Sequence, residues 1–206
     1  MYRSALCQKA TYDGNFIRTD VDGYHGIKMA PQRKGEADLY EVKLAKNGGG
    51  QCNWKLSSVM FDVVYKYPKI YGSDTLKGGG GGVMIAFDHN NPPLSGPSST
   101  TRGDLFIKKD YYPWVDEGFL GRYSKTINLA GVFPLYLHYR APNARVVHFE
   151  PVLHTKFLLR SIGPKVKKDG NYTTWIYPDG SVYADGKWHP NLNRLNAIRL
   201  AEEAKQ

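Results

Sequence analysis

The sequence predicts a mainly β protein: a β-rich α+β fold of antiparallel sheets or a sandwich, with long loops and one C-terminal helix. Three observations carry this expectation. Short runs rich in Val, Ile, Tyr, Phe and Trp recur along most of the 206 residues, stretches of Gly, Pro, Ser and Asn separate them, and helix-forming residues gather at the tail. With 41% hydrophobic and 13% aromatic residues, including 15 tyrosines, the chain lacks the apolar depletion of disordered segments. Its length suits a single domain, 1–206, burying roughly 70% of the surface that the unfolded chain exposes.

From the N-terminus, "LYEVKLA" at 39–45 alternates as a strand does, and "CNWKLSSVMFDVVYKY" follows as a long β-prone run. Its alternation changes phase: Trp54 and Leu56 are even, whereas Val59, Phe61, Val63 and Tyr65 are odd, so a bulge or bend is expected at Ser57 and Ser58. "VMIAF" at 83–87 and "LFIKK" at 105–109 read as short apolar strands. Between them, 89–104 ("HNNPPLSGPSSTTRGD") has no periodicity and is expected as a projecting loop.

"VFPLYLHY" places Phe133, Leu135, Leu137 and Tyr139 on one face, and "APNA" is a hairpin-like link to "RVVHFE" at 145–150. Residues 151–162 admit two readings: Leu153, Thr155, Phe157 and Leu159 alternate as in a strand, while Pro151 and Gly163 would bracket a helix. "TTWIYPDGSVYA" reads as a β-hairpin turning at Pro178, Asp179 and Gly180. The C-terminal helix is expected at about 191–204, capped by Asn191, with Leu192, Leu195 and Ile198 on one side.

Five consecutive glycines, 78–82, precede the 83–87 strand. A phosphate-binding loop needs G-x-x-x-x-G-K-[ST] between a strand and a helix; here Lys77 comes before the glycines and a strand follows them. The run is therefore expected as a backbone device permitting positive φ or close approach. Gly48, Gly49 and Gly50 lead in the same way into "QCNWKLSSV".

Lys and Arg number 28 against 19 Asp and Glu, a net charge of +9. The surplus gathers in 139–168, where Arg140, Arg145, Lys156, Arg160, Lys165, Lys167 and Lys168 face only Glu150. Such a stretch is either a solvated face or an attractor for anionic partners. No nucleic-acid-binding motif accompanies it, so nucleic acid is not an expected partner.

The sequence has no G-x-S-x-G elbow and no His-Glu-x-x-His pair. His138 and His148 could face each other across the expected 132–150 hairpin, but no adjacent carboxylate or cysteine completes a metal set. Asp104, Asp110, Asp116 and Glu117 offer only the acid pairs that any loop-rich chain offers. The expectation is a non-enzyme without cofactor or metal.

Cys7 and Cys52 are too few for a closed zinc site, which leaves a disulfide or two buried thiols. The bridge is preferred because it would anchor a chain end prone to fray, and it would place the protein in an oxidising compartment. In "IKKDYYPWVDEGFLGRY", Lys108, Lys109, Tyr111, Tyr112, Trp114, Phe119, Arg122 and Tyr123 interleave charge with aromatic surface. Three readings stay open for it: a protein interface, a sugar-binding face, or a folded segment that packs its aromatics inward.

The stretches "YRSALC", "FIRTDVDGYHGIK", "VKLAKNGGGQCNWKLSSVMFDVVY" and "PDGSVYADGKWHPNLNRL", with the 78–82 glycines, resemble small enterobacterial lipoproteins of the immunity class paired with type VI secretion lipase effectors. The resemblance implies a periplasmic protein, lipid-anchored to the outer membrane through a cysteine upstream of Tyr2. Its implied partner is a cognate phospholipase effector, bound as a heterodimer and inhibited without chemistry. The alternative expectation is a cell-envelope module recognising glycan or lipid headgroups.

Overall fold

The computed structural model describes residues 1–35, 38–88, 98–131 and 136–205. In chain order the strands are β1 (Tyr2–Tyr12), β2 (Arg18–His25), β3 (Gln32–Arg33), β4 (Tyr40–Glu41), β5 (Asn47–Gly49), β6 (Trp54–Leu56) and β7 (Ser58–Asp62). There follow β8 (Leu76–Lys77), β9 (Gly82–Ala86), β10 (Ser98–Thr100), β11 (Leu105–Gly118), β12 (Ser124–Gly131) and β13 (Tyr136–Arg140). The chain ends with β14 (Val147–Leu153), β15 (Leu159–Ile162), β16 (Thr174–Ile176), β17 (Val182–Tyr183) and helix α1 (Leu192–Glu203). The β-rich α+β class and the C-terminal helix stand as the sequence predicts.

Two compact units are interleaved along the chain, and each draws on three segments. Unit 1 comprises Met1–Met60, Met84–Asp104 and His138–Arg145; unit 2 comprises Phe61–Val83, Leu105–Leu137 and Val146–Gln206.

Unit 1 is built on the sheet β2-β1-β6-β5. Tyr2 is buried and its hydroxyl donates to the Ala45 carbonyl at 2.7 Å. The expected bend is present: β6 ends at Leu56 and β7 begins at Ser58, with both Ser57 and Ser58 amides donating to the Met1 carbonyl. Gly49 and Gly50 take positive φ, +65° and +72°, in the connection between β5 and β6, which glycine permits without steric penalty.

The strand expected at 39–45 forms only in part. Of 39–45 only Tyr40–Glu41 is strand, paired with Gln32–Arg33; alternation alone forms no ladder when the following residues find no neighbour. Of the 89–104 stretch, Ser98–Thr100 is strand and pairs in parallel with β13, while 89–97 lie outside the described residues.

In unit 2, β11 is the central strand of a seven-stranded sheet. It pairs antiparallel with β12, in parallel with β14 along Leu105 to Tyr111, and in parallel with β15 along Trp114 to Glu117. Pro113, which cannot donate to a ladder, sits opposite the break between β14 and β15, where that edge of β11 has no partner strand. Residues 151–162 contain no helix; they complete β14 and form β15.

The predicted 132–150 hairpin is absent: β13 pairs with β10, and β14 pairs with β11. Phe133 and Leu135 lie outside the described residues. The Pro178-Asp179-Gly180 turn does join two antiparallel strands, β16 and β17, and Gly180 takes φ +80°.

Helix α1 starts where Asn191 Oδ1 accepts from the Arg194 amide at 3.1 Å. Its Leu195 is fully buried with Tyr112, Ala130, Leu159, Trp175 and Tyr177. Leu192 and Ile198 pack against the same core, as their spacing predicts.

Candidate partner-binding surfaces

The eight aromatic and basic residues of the 108–123 segment divide between interior and surface. Lys109, Tyr111 and Tyr112 are buried. Trp114 is half-buried: its ring lies 5.4 Å from that of Trp175, and its Nε1 donates to Ser161 Oγ at 2.6 Å. Phe119 is half-buried beside Tyr123, the ring centroids 5.3 Å apart. Lys108, Arg122 and Tyr123 are exposed. The buried members thus take the core-packing alternative, because β11 is covered on both faces where Tyr111 and Tyr112 stand.

Lys109 is 2% exposed, with Nζ donating to the Gly82 carbonyl at 3.4 Å and lying over the Tyr111 ring. Burial pushes its ammonium from the ordinary 10.5 down to about 8. The folded-state value lies below the unfolded one, so the charge opposes folding at neutral pH. Stability rises as pH climbs through the folded value towards the unfolded one. Between about pH 7 and about pH 9.5 the gain is about 2 kcal/mol. Urea unfolding at the two pH values should show that gain in the native chain and its loss in Lys109→Met. An unchanged pH dependence in the variant contradicts the assignment.

Several other titratable residues are held by neighbours within their own unit. His154 Nε2 lies 2.7 Å from Asp110 Oδ1, and its imidazole stacks on Tyr112 and meets Phe157 edge-on. The Tyr112 hydroxyl donates to Asn196 and accepts from Arg199 Nε at 2.9 Å; Arg199 in turn pairs with Glu203 at 2.7 Å. Burial raises the Tyr112 phenol, and the Arg199 guanidinium partly offsets it. Asp116 accepts from Ser161, which holds the Trp114 indole, and Asp104 accepts from the Arg145 amide at 2.7 Å.

His138 lies on β13 and His148 on β14, which are not paired. Among the described residues no group of three His, Cys, Asp or Glu could hold a metal ion.

The basic stretch is divided between the units. Arg140 and Arg145 belong to unit 1 and the remainder to unit 2. There, Arg160 pairs with Glu117 at 3.2 Å and Lys165 lies over Phe119, while Lys156, Lys167 and Lys168 are exposed.

A surface that sequence reasoning missed lies at the N-terminus, in unit 1. Strands β1 and β2 form a hairpin in which every residue from 8 to 21 is exposed. Leu6, Tyr12, Phe16 and Ile17 are 70%, 63%, 86% and 60% exposed. A two-stranded ribbon with both faces in water is marginal by itself, and its base is clamped. Cys7 is bonded to Cys52, with the Cα atoms 5.3 Å apart.

The bridge stands in a bulge: from Ser4 to Lys9 β1 takes five steps while β2 takes two, from Gly23 to Val21. Ser4 Oγ accepts the Leu6 and Cys7 amides there, each at 3.1 Å, and donates to the Cys52 carbonyl. A Cβ on Gly23 would lie 1.9 Å from the Cys7 carbonyl oxygen, so only glycine fits against the bulge. The signal available in sequence was the Asp13-Gly14 dipeptide between "ALCQKATY" and "FIRTDV".

The disulfide is chemistry of oxidising compartments. No helix among the described residues is long and apolar enough to cross a membrane. No family model, curated protein or solved structure matches the chain.

Proposed function

We propose that this chain is a non-enzymatic immunity protein that binds a cognate lipase effector in the periplasm and occludes its acyl-chain cleft. The observation that carries the reading is the exposed β1–β2 ribbon, clamped at its base by Cys7–Cys52. A lipase admits an acyl chain through an apolar opening, and a rigid protein element that fills the opening stops turnover without chemistry. The sequence resemblance to immunity lipoproteins supports the same reading and implies a lipid anchor and a periplasmic site. Exposed Lys156, Lys167 and Lys168 suit steering of an acidic partner.

The testing experiment is co-expression with candidate effector lipases that carry a G-x-S-x-G motif, a gene adjacent to this chain's own being the first place to look for one, followed by size-exclusion chromatography with light scattering. One peak of a one-to-one complex is expected. Separate elution of the two proteins, with this chain instead retained by envelope glycan or lipid vesicles, contradicts the proposal in favour of the envelope-module alternative.

A further inference from the structure

We infer that the tip of the β1–β2 ribbon, Phe16 with Ile17, is a preformed plug that enters a concave apolar cleft of a protein partner. The inference rests on the occlusion reading and names the element that performs it.

The tip is held rather than loose. Asp13 Oδ1 accepts the Asn15 and Ile17 amides, both at 2.9 Å. The Phe16 amide donates to the Asp13 carbonyl at 3.0 Å, and the Asp13 amide donates to the Ile17 carbonyl at 3.2 Å. This closed turn places Phe16 at φ +62°, a conformation that a bulky side chain adopts only when its surroundings impose it. Glycine would relieve that backbone, yet the position carries the largest exposed apolar side chain of the turn. A site that accepts backbone strain to display a phenyl ring to water has the signature of a binding element.

The shaft differs from the tip. Its cross-strand pairs are Lys9 with Val21, Ala10 with Asp20, Thr11 with Thr19 and Tyr12 with Arg18. It is a mostly polar stem, wet on both faces, ending in an apolar point. Only a concave site surrounds such a point, whereas a flat surface covers one face of a ribbon.

Charge separates a protein cleft from an anionic bilayer. Residues 8–21 carry Lys9 and Arg18 against Asp13 and Asp20, two of each sign, and Arg18 is already paired with Asp20 at 3.1 Å. A neutral stem with a carboxylate inside the tip turn has no electrostatic attraction to anionic headgroups.

The test uses Phe16→Gly/Ile17→Ser in the full chain. Glycine accepts the positive φ, so the variant keeps its fold, verified by an unchanged urea midpoint. Against the effector lipase that the co-expression experiment identifies, the expected result is an inhibitory concentration raised about tenfold or more, as for loss of a buried aromatic anchor. If the double variant inhibits as well as the native chain, the plug assignment falls while occlusion stands. If the native chain neither binds nor inhibits the lipase, the occlusion reading falls and the assignment with it.

Two further measurements name rival occupants. Flotation of the native chain, but not the variant, with phosphatidylethanolamine–phosphatidylglycerol vesicles would make the occupant a bilayer. A dimer of the native chain that the variant abolishes would make it a second copy. Either result overturns the inference.

Discussion

Replacing Cys7 and Cys52 by serine is expected to lower the unfolding free energy by about 4 kcal/mol, the chain-entropy value for closing a loop of this length. The loss should be concentrated in unit 1. Residues 8–21 are all exposed, so the ribbon depends on what holds its base: the disulfide, Ser4 Oγ on the freed amides, and the close approach of Gly23 to Cys7. Without the bridge, amide exchange across 8–21 should rise before global unfolding, and the urea midpoint should fall equally for the double variant and for the native chain under reductant. A change below about 1 kcal/mol would show that hydrogen bonding alone secures the ribbon.

Gly80→Ala is expected to cost about 3 kcal/mol or more, at or beyond the upper end of ordinary overpacking. A Cβ there would lie 1.5 Å from the Val63 carbonyl oxygen and 2.7 Å from its carbon. Both are backbone atoms, which cannot rotate aside. The glycine run threads between two neighbours at van der Waals distance. On one side a Gly82 Cβ would meet the Phe61 carbonyl oxygen at 1.9 Å; on the other a Gly78 Cβ would meet the Asn128 amide oxygen at 2.2 Å.

Hydrogen bonds follow the same path. Gly78 donates to the Ile127 carbonyl at 2.9 Å, the Leu129 amide donates to the Gly79 carbonyl at 2.9 Å, and the Tyr111 hydroxyl donates to the Gly81 carbonyl at 2.9 Å. Gly79→Ala is the internal control. Its Cβ would come no nearer than 3.8 Å to a neighbour, so urea unfolding should show a loss below about 1 kcal/mol. Equal losses at both positions would contradict the close-approach account.

The two glycine runs show what sequence can and cannot resolve. In sequence both are backbone devices before strands, but Gly49 and Gly50 are needed for positive φ, whereas Gly80 and Gly82 are needed for missing side chains. The first cause is local; the second depends on which backbone lies opposite. Helix α1 and the hairpin at Pro178 were legible for the same local reason, since caps, spacing and turn residues decide them.

Strand partners are a nonlocal choice. Nothing within "APNA" tells that β13 and β14 will pair with β10 and β11 instead of each other. The extent of β11 was hidden by Lys109 at a buried position and Pro113 in mid-strand, two residues that interrupt the expected apolar alternation. That concealment leaves inward packing of Tyr111 and Tyr112 indistinguishable in sequence from the surface readings. The β1–β2 ribbon was hidden in the opposite way: exposed on both faces, it has no buried side to write a period into the sequence.

The central claim, inhibition by occupation, is tested most directly by titrating this chain into a fixed concentration of its co-expressed effector lipase while following phospholipid hydrolysis. The predicted result is a linear fall in activity that ends near one equivalent, with no product formed from this chain. Hydrolysis that continues undiminished in the presence of excess chain would contradict it.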